Sequence, residues 1–495
     1  MTLGPHTALI SSELEALRAA TTVEQTVELF DAVIAELRQP LRIAVTGRVN
    51  AGKSTLVNAL LGQRIAPTDV SECTKYAAWF RFGTPERVEV VGPDGTRRPV
   101  ALRPDGRLPA ALGDLNDLDV ARIDVFLSNE VLRDFTLIDT PGLASSRGDV
   151  QVTDEILALD RRSRTALAQA DAMLFVVAGD IRANEYELLG EFQRLTGGLS
   201  PSSVNTLAVL SRVDQAVDLT VDPVAAALPR CDALAAELRA AVSHVLPVVG
   251  LLAETADCGV LTDADLAGLT RMVTDRPRFD RALTSVDRFV RSDLSDSTET
   301  ERGHLLDLLD LHGLRLLADR IAGDSATGSE LVAEIRRQSG IDAVRSAVSA
   351  DLASHADLLK ASWAIGGLQD LAYRVDPIDR HELLNLAERL ELGPELHKVA
   401  EMAALREVAA GHADLASVDV DELRRLVHGQ TSHERLGVAD HIAPEKLPEL
   451  ARDAVNRWRA AGNDGSASPS LRSIAATLAR SYELMLAEIG TTRHE

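Results

Sequence analysis

Gly47-Arg48-Val49-Asn50-Ala51-Gly52-Lys53-Ser54-Thr55 is the stretch of sequence that decides the fold. It fits G-x-x-x-x-G-K-[ST], the phosphate-binding loop. The apolar run 41–45 before it predicts a buried strand, and the run 56–61 after it predicts a helix. Glycines let the backbone wrap closely around a phosphate chain, and the amides at the helix start point at its negative charge. Lys53 is therefore expected to reach the β- and γ-phosphates, and the Ser54 hydroxyl to bind Mg²⁺.

A second motif, Asp139-Thr140-Pro141-Gly142, follows the apolar run 135–138. A carboxylate at the end of a strand can hold the Mg²⁺ shell, usually through water. The glycine after it supplies a backbone N–H that can sense a γ-phosphate. This pattern, placed downstream of a phosphate-binding loop, is typical of GTPases more than of ATPases. Asp139 is predicted to contact the metal and Gly142 the γ-phosphate.

A third motif, Ser211-Arg212-Val213-Asp214, follows the apolar run 207–210, where GTPases carry [NT]-K-x-D. Asp214 is predicted to accept hydrogen bonds from N1–H and the 2-amino group of guanine, a donor pair that adenine lacks. Ser211 replaces Asn or Thr, and Arg212 replaces Lys. An arginine stem and planar head can still stack on a purine. The next strand and turn, ending at Gly250, are expected to form the far wall of the base pocket.

The polar segment 66–75 lies between the first two motifs and is broken by a proline. Such a loop can be ordered by the γ-phosphate and Mg²⁺. Thr74 is the candidate for the hydroxyl that closes on the metal, and Thr68 is the alternative. A plain surface loop without a catalytic threonine fits the spacing as well.

Composition bounds the class of protein. The 495 residues are too many for one core, so two or three domains are expected. Aromatic residues make up only 3%, while Ala and Leu are abundant, which favours helix–helix packing outside the nucleotide-binding part. The three cysteines form no C-x-x-C pair, which predicts a reducing compartment and no zinc site. A net charge of −23 argues against nucleic acid as a partner.

The order of patterns along the chain predicts an α/β fold with a doubly wound, mostly parallel sheet. Strand–helix alternation runs to about Gly250, with a hairpin signature over 87–101. Helices are predicted at 12–18 and 23–37, and the pattern is helical again from about Thr262 to the end. Apolar positions three and four apart predict one long helix from residue 341 toward Pro377; they are Ile341, Val344, Val348, Leu352, His355, Leu359 and Trp363.

Three places in the helical part have two interpretations each. Trp363 is predicted to lie in the helical core, with a membrane-facing tip as the alternative. Arg457-Trp458-Arg459 either meets lipid headgroups or lies on a surface helix. His355, on an apolar face, is predicted to be a core histidine with its hydrogen bonds satisfied and not a metal ligand.

Together the motifs resemble bacterial dynamin-like GTPases, in particular the shorter isoniazid-inducible IniC type of actinobacteria. Further matching stretches are Thr68-Asp69, Trp79-Phe80-Arg81, Ser285-Val286-Asp287-Arg288-Phe289-Val290-Arg291 and Leu358-Leu359-Lys360-Ala361. The resemblance implies GTP or GDP and Mg²⁺ as cofactors, with Lys53, Thr74 and Gly142 catalytic and Ser54, Thr74 and Asp139 at the metal. It also implies that the nucleotide is contacted by Gly47, Asn50, Ala51, Gly52, Thr55, Ser211, Arg212, Asp214 and Gly250.

The same resemblance implies an organisation and partners. Neck helices are expected over 1–39, a dynamin-type GTPase domain over 40–252, a helical extension or hinge over 253–325, and a helical neck or stalk bundle over 326–495. GTPase domains would pair across the nucleotide with a second copy or a dynamin-like paralogue, and the stalk would touch lipid. Because no signal peptide and no membrane-spanning run is visible, the expected location is cytoplasmic, peripheral to the inner face of the cell membrane.

The chain departs from the dynamin pattern at three positions. Asn50 stands where a serine is common, Ser145 where a lysine is common, and Leu143 cannot orient water as a glutamine would. Slow basal turnover, raised by dimerisation, is the expectation. Two alternatives stay open: a slow or non-hydrolysing GTP-dependent scaffold for a paralogue, and a ribosome- or RNA-associated Era-like GTPase, which the acidic charge disfavours.

Overall fold

The computed structural model describes residues 3–67, 75–109, 120–141, 165–195, 205–238, 241–294, 297–323, 327–409, 413 and 415–491. Within them the strands form a nine-stranded sheet in the order β4-β3-β5-β2-β6-β1-β7-β8-β9. The strands are β1 Leu41–Gly47, β2 Ala78–Phe82, β3 Arg87–Val91, β4 Arg97–Val100, β5 Arg122–Leu127, β6 Phe135–Asp139, β7 Ala172–Ala178, β8 Thr206–Ser211 and β9 Val245–Val248.

The sheet is mixed. From β6 through β1, β7 and β8 to β9 all neighbours are parallel, whereas β2 runs antiparallel to β6, and β3 antiparallel to both β5 and β4. The central strands are buried over nearly their whole length, as parallel strands covered on both faces must be. The predicted α/β class and the hairpin of β3 and β4 are confirmed.

Helices surround the sheet and fill the rest of the described chain. They are α1 Pro5–Ala20, α2 Glu24–Leu37, α3 Lys53–Leu61, α4 Ala183–Leu195, α5 Pro223–Glu237, α6 Gly250–Asp257, α7 Asp263–Val273, α8 Arg276–Ala282, α9 Val286–Arg291, α10 Glu299–Gly323, α11 Gly328–Ser339, α12 Ile341–Ala347, α13 Ala356–Ala372, α14 Pro377–Leu392, α15 His397–Ala409, α16 Ser417–His428, α17 Ser432–Leu436, α18 Leu447–Asn463 and α19 Pro469–Thr491. None of the described helices is both long and apolar enough to cross a membrane.

Two apolar clusters lie on the two faces of the sheet. One face packs with α1–α3 and with the late helices from α12 to α19; its buried members include Phe30, Ile34, Leu41, Ile43, Leu352, Leu359 and Leu478. The other face packs with α4–α11, through side chains that include Phe175, Phe192, Leu252, Phe279, Leu309 and Ile335. The helical half therefore shares its core with the sheet.

The first helix is tied to α13 by a carboxylate far along the chain. Asp357 accepts hydrogen bonds from the backbone N–H groups of His6 and Thr7, both 2.9 Å away, and from the Thr7 hydroxyl at 2.6 Å. Its other contact is His6 Nδ1 at 2.7 Å. These groups are the otherwise unpaired donors of a helix start, so Asp357 supplies the missing cap from another element.

The prediction of one long helix from residue 341 was wrong. α12 ends at Ala347, a π-helical turn spans Val348–Leu352, and a short 3₁₀ turn Ala353–His355 precedes α13. His355 has φ −96° and ψ 7°, outside the helical range, so regular geometry resumes only after it. The segment is thus a chain of short helical pieces packed on the core, and α13 ends at Ala372 before Pro377 opens α14.

The three ambiguous side chains are resolved by burial. Trp363 is half-buried and packs against the first apolar cluster, as predicted. Trp458 is 2% exposed and donates its indole N–H to Glu422 Oε1 at 2.8 Å, so this ring lies in the core. Arg457 and Arg459 beside it are exposed on the helix surface, as the surface-helix interpretation predicts. His355 is a buried core histidine as predicted, but its Nε2 has no hydrogen-bond partner in the described structure, so it is only half satisfied.

Candidate nucleotide site

The loop between β1 and α3 has the backbone that its glycines predict. Gly47 has φ 152°, and a Cβ there would lie 2.2 Å from the carbonyl oxygen of Val176 on β7. Gly52 has φ 91°, and Asn50 has φ 62°, a left-handed value that asparagine tolerates better than most residues. The sequence therefore folds into a tight loop that turns its amides toward the start of α3.

Lys53, Ser54 and Asp139 meet at the carboxyl ends of β1 and β6. The Lys53 ammonium donates to the Arg48 carbonyl oxygen at 2.9 Å, across the loop, and the side chain is buried. The Ser54 hydroxyl donates to Asp139 Oδ2 at 2.8 Å. Two of the three residues predicted to bind the metal are thus in contact, although 85 positions separate them.

The second carboxylate oxygen of Asp139 has a different environment. Asp139 Oδ1 is buried and has no hydrogen-bond partner in the described structure. Burial raises the pKa of Asp139 to about 6, against the opposing effects of Lys53 and Ser54. Burial likewise lowers the pKa of Lys53, and Asp139 opposes that shift. A carboxylate oxygen left unpaired beside a hydroxyl is a donor set that fits a hard divalent cation.

Two hydroxyls fasten the loop to the sheet. Ser211 Oγ lies 2.6 Å from the carbonyl oxygen of Ala51 and 3.1 Å from that of Val177, so its hydrogen holds β8 to the phosphate-binding loop. Thr140 Oγ1 donates to the Val45 carbonyl oxygen at 2.9 Å, joining the end of β6 to β1. Ser211, predicted as a nucleotide contact, uses its hydroxyl to position the loop.

Arg48 provides a further brace that no motif revealed. Its Nε donates to Glu185 Oε1 at 3.1 Å, and its guanidinium also donates to the Ala178 carbonyl oxygen at 2.5 Å. Glu185, on α4, is fully buried, and its other oxygen accepts from the Arg182 backbone N–H at 2.8 Å. Arg48 occupies a variable position of the loop motif and Glu185 belongs to no motif, so only their burial and opposite charge could have pointed to the pair.

The predicted base-reading residues lie just beyond β8. Arg212 has a left-handed φ of 57°, and Asp214 lies in the 3₁₀ turn Val213–Ala216. Burial raises the pKa of Asp214 to about 6, and the nearby charge of Asp310 adds to the shift. Asp310 has φ 49° and ψ −179° and interrupts α10, so the helix is bent where it approaches this carboxylate. Sequence patterns gave no sign of Asp310.

Gly250 begins α6 directly after β9 and lies against α3. A Cβ at this position would lie 3.6 Å from the Cγ2 atom of Thr55. The structure therefore brings the phosphate-binding loop, the end of β6, the turn after β8 and the start of α6 to one edge of the sheet, at the carboxyl ends of its parallel strands. Thr74, the alternative Thr68, Gly142, Leu143 and Ser145 lie outside the described residues.

Comparison with known proteins agrees with this geometry. A family model described as 50S ribosome-binding GTPase matches residues 42–197. The isoniazid-induced protein IniC of Mycobacterium tuberculosis is 30% identical over 503 aligned residues, which cover 98% of this chain and 98% of that protein. This chain belongs to the IniC family of bacterial dynamin-like GTPases. As a member of this family, the chain has a GTPase domain, which binds a guanine nucleotide.

Other relatives of this IniC-family chain match over about a third of its length. A bacterial dynamin-like protein of Nostoc punctiforme is 26% identical over 37% of this chain and 26% of that protein. GTPase Der of Geotalea uraniireducens is 27% identical over 35% of this chain and 25% of that protein. A solved chain of an oligomerised bacterial dynamin pair covers 99% of this chain and 74% of that one at 13% identity and TM-score 0.33, too weak a match to support a conclusion.

Proposed function

We propose that this chain binds GTP with Mg²⁺ and hydrolyses it, and that pairing of its GTPase domains is coupled to peripheral remodelling or maintenance of a membrane. The observation that carries the proposal is the contact of Ser54 Oγ with Asp139 Oδ2 at 2.8 Å, beside a buried Asp139 oxygen with no partner. Both groups belong to the nucleotide-binding motifs of this sequence, Ser54 to the phosphate-binding loop and Asp139 to the motif after β6. Full-length similarity to IniC supports the rest.

Each side chain has a role in this proposal. Lys53 places a buried positive charge where the β- and γ-phosphates would lie, and Ser54 and Asp139 would hold the metal. When bound, Mg²⁺ supplies a Lewis acid that neutralises charge developing on the phosphate oxygens. Lys53 and the loop amides stabilise that charge from the protein side, and the buried site keeps bulk water away from them. Gly142 and Thr74 are proposed as the γ-phosphate and switch contacts.

The base would be read by Asp214, whose carboxylate accepts two hydrogen bonds from guanine. A partly buried carboxylate left without that donor pair is costly, so the site would reject adenine strongly. Arg212, exposed beside it, would cover the base with its guanidinium plane. Ser211, Arg48 and Glu185 then act as positioning residues that hold the loop rigid.

Turnover is proposed to be slow in isolated molecules. Asn50 is exposed at the rim of the loop, in the place where dynamins carry serine, and Leu143 offers no group to orient water. A second GTPase domain, from another copy or from a paralogue, would complete the site. Residues 40–252 would form the GTPase domain, with 1–39, 253–325 and 326–495 as neck, extension and stalk, and contact with lipid would be peripheral, at the inner face of the cell membrane.

A GTP-dependent scaffold that hydrolyses slowly or not at all is the second candidate, because Leu143 replaces the residue that would orient water. A phosphate-release assay should distinguish the active GTPase from the scaffold. We expect the full chain to release phosphate from GTP but not from ATP, with a rate per molecule that rises with protein concentration and with liposomes that sediment the protein. Asp139→Asn should lower the rate at least ten-fold, and Asp134→Asn, at an exposed position just before β6, should not.

Three results would count against the proposal in different ways. Hydrolysis of ATP at the same rate would remove the guanine assignment. GTP binding without measurable release under any condition would favour the scaffold. An Asp139→Asn variant as active as wild type would remove the metal site.

A further inference from the structure

A cavity of about 260 Å³ lies at the opposite end of β1 and β6 from the nucleotide site. Its walls come from α2 and from the sheet; the lining residues that matter below are Glu36, Arg42, Trp79, Arg81, Arg122 and Thr136. Arg42 and Thr136 are paired in register at the amino ends of β1 and β6. Because Arg42 and Gly47 are five residues apart on one strand, the Arg42 wall of the cavity lies about 16 Å from the phosphate-binding loop.

The cavity adjoins three arginines that share one carboxylate. Asp124, on β5, is fully buried, and its oxygens lie 2.9 Å from Arg122 Nε and 3.1 Å from Arg97 Nη1. Arg81 Nε lies 3.8 Å from the same carboxylate, beyond hydrogen-bond distance. Arg97 has a second acceptor in Glu89 at 2.8 Å, whereas no other carboxylate is paired with Arg81 in the described structure. Arg81 therefore carries a charge that is only partly compensated.

The hydrogen bonds of Arg81 are incomplete as well. Its Nε is buried and has no hydrogen-bond partner among the described residues, while the side chain as a whole is 23% exposed. Its guanidinium lies over the Trp79 ring, 4.8 Å from the centroid, and Arg122 lies 4.9 Å from the same ring. Burial lowers the pKa of Arg81, Asp124 opposes the shift, and Arg122 and Arg97 add to it. An unpaired buried donor of this kind is costly. Because Nε itself is buried, a ligand in the cavity would bind the rest of the Arg81 guanidinium group, which lines the cavity.

The opposite wall of the cavity is neutral. Arg42 is paired with Glu36 of α2 and with Asp171 at 3.1 Å. Lys360 of α13 lies 3.5 Å from Asp171 and donates to the Glu36 carbonyl oxygen at 3.2 Å. Two cations thus face two carboxylates, which leaves the uncompensated positive charge on the side of Arg81 and Arg122.

We propose that this cavity is a second anion site, which takes a small ligand bearing a phosphate group through Arg81 and Arg122. Guanidinium groups bind phosphate oxygens with paired, charge-assisted hydrogen bonds. The volume is ample for one or two phosphate groups. A ligand here would contact both the sheet and α2, and so would stiffen the junction between the sheet and the first helices. The phosphate could belong to a free ion or to a lipid headgroup, which presents the same chemistry.

Inorganic pyrophosphate is the first probe, titrated into the full-length Lys53→Ala variant in buffer without Mg²⁺, so that the phosphate-binding loop contributes little. Trp79 lies directly beneath the two arginines and is one of only three tryptophans, so its fluorescence reports occupancy. We expect a saturable change in tryptophan fluorescence as pyrophosphate is added. The affinity for pyrophosphate should fall at least ten-fold when Arg81→Gln or Arg122→Gln is added. Arg98→Gln, at an exposed position on β4, is the matched control and should leave it unchanged. Circular dichroism checks that each variant is folded.

Vesicles distinguish the two sources of phosphate. Phosphatidate vesicles and phosphatidylcholine vesicles are compared by co-sedimentation, with and without Arg81→Gln. Pyrophosphate binding that depends on Arg81 supports a free anion, and phosphatidate binding that depends on Arg81 supports a headgroup. The proposal is overturned if neither probe binds, or if Arg81→Gln leaves the affinity of every probe that binds unchanged. Because the GTP site is disabled by Lys53→Ala, this result is independent of the proposed GTPase activity.

Discussion

The two ends of β1 and β6 hold two very different polar sites. At the carboxyl ends, Ser54 and Asp139 meet beside Lys53, and every group belongs to a short contiguous motif. At the amino ends, Arg42 lines a cavity to which Arg81 and Arg122 also contribute, and the three come from separate strands that carry no motif for anion binding. The difference teaches that a site built from short contiguous motifs at strand ends can be predicted from sequence, whereas a site built across strand register is visible only after folding.

The largest expected effect separates the two ends directly. Lys53→Ala should weaken GTP binding at least 100-fold, because the buried ammonium is the only lysine at the loop and phosphate contacts of this kind contribute roughly 3 kcal/mol or more. Calorimetry with GTP and Mg²⁺ measures it, with Lys446→Ala, on an exposed 3₁₀ turn, as the control. Arg81→Gln should leave GTP affinity unchanged; a loss in that variant would mean that the two ends are not independent.

A smaller effect is expected where the base is read. Asp214→Asn should weaken GTP about ten- to 100-fold and favour xanthosine triphosphate, because the amide donates where the carboxylate accepted. Competition binding with the two nucleotides checks the preference, and Asp218→Asn, four residues on and exposed, serves as control. If the order of preference is the same in Asp214→Asn and wild type, the carboxylate is not the base reader.

The next effect in size is a loss of Mg²⁺-dependent GTP affinity at acidic pH, at the site formed by the carboxyl ends of β1 and β6. With the pKa of Asp139 at about 6, the carboxylate is lost as pH falls, and a protonated acid holds a metal poorly. Between pH 7.5 and 5.5 the ionised fraction falls about four-fold, and Mg²⁺-dependent GTP affinity should fall by at least that factor. Titrations at several pH values measure this. Arginines do not titrate in this range, so the pyrophosphate site should keep its affinity apart from the change in the ligand's own charge.

The residues of the nucleotide site differ in how far they could be predicted from the sequence. Apolar runs that predict strands are followed by Gly47 to Thr55, by Asp139 and, after a short turn, by Asp214. The strands that carry these residues, and their meeting at one edge of the sheet, were therefore predictable. Glu185, Asp310 and Asp124 were not, because each acts through contacts between segments distant in sequence. The break between α12 and α13 was missed for another reason: a π turn keeps apolar side chains about four residues apart, so the periodic pattern continues through it.

The smallest effect concerns the helices that cover the amino end. Although burial alone raises it, hydrogen bonds from His6 and Thr7 lower the pKa of Asp357 to about 2. Its contribution to stability is therefore present above the unfolded pKa near 4 and is lost as pH falls toward 2. Asp357→Asn should cost about 1–2 kcal/mol in the free energy of unfolding near pH 7. Denaturant unfolding measures it against Asp370→Asn, exposed on the same helix.

Nucleotide affinity supplies the check on that variant. GTP binding should be the same in Asp357→Asn and wild type, because α1 and α13 lie away from the phosphate-binding loop. A destabilised variant that also bound GTP poorly would show that the helical cover and the nucleotide site are coupled.

The hydrogen bonds between Asp357 and the start of α1 can form only late in the synthesis of the chain. The helix emerges from the ribosome before the carboxylate that caps it, because Asp357 lies 351 residues after His6. At about 5–20 residues per second, roughly 20–70 s pass before that partner is made. Until then α1 can pack on α2, but its first N–H groups lack their cap and water has to satisfy them.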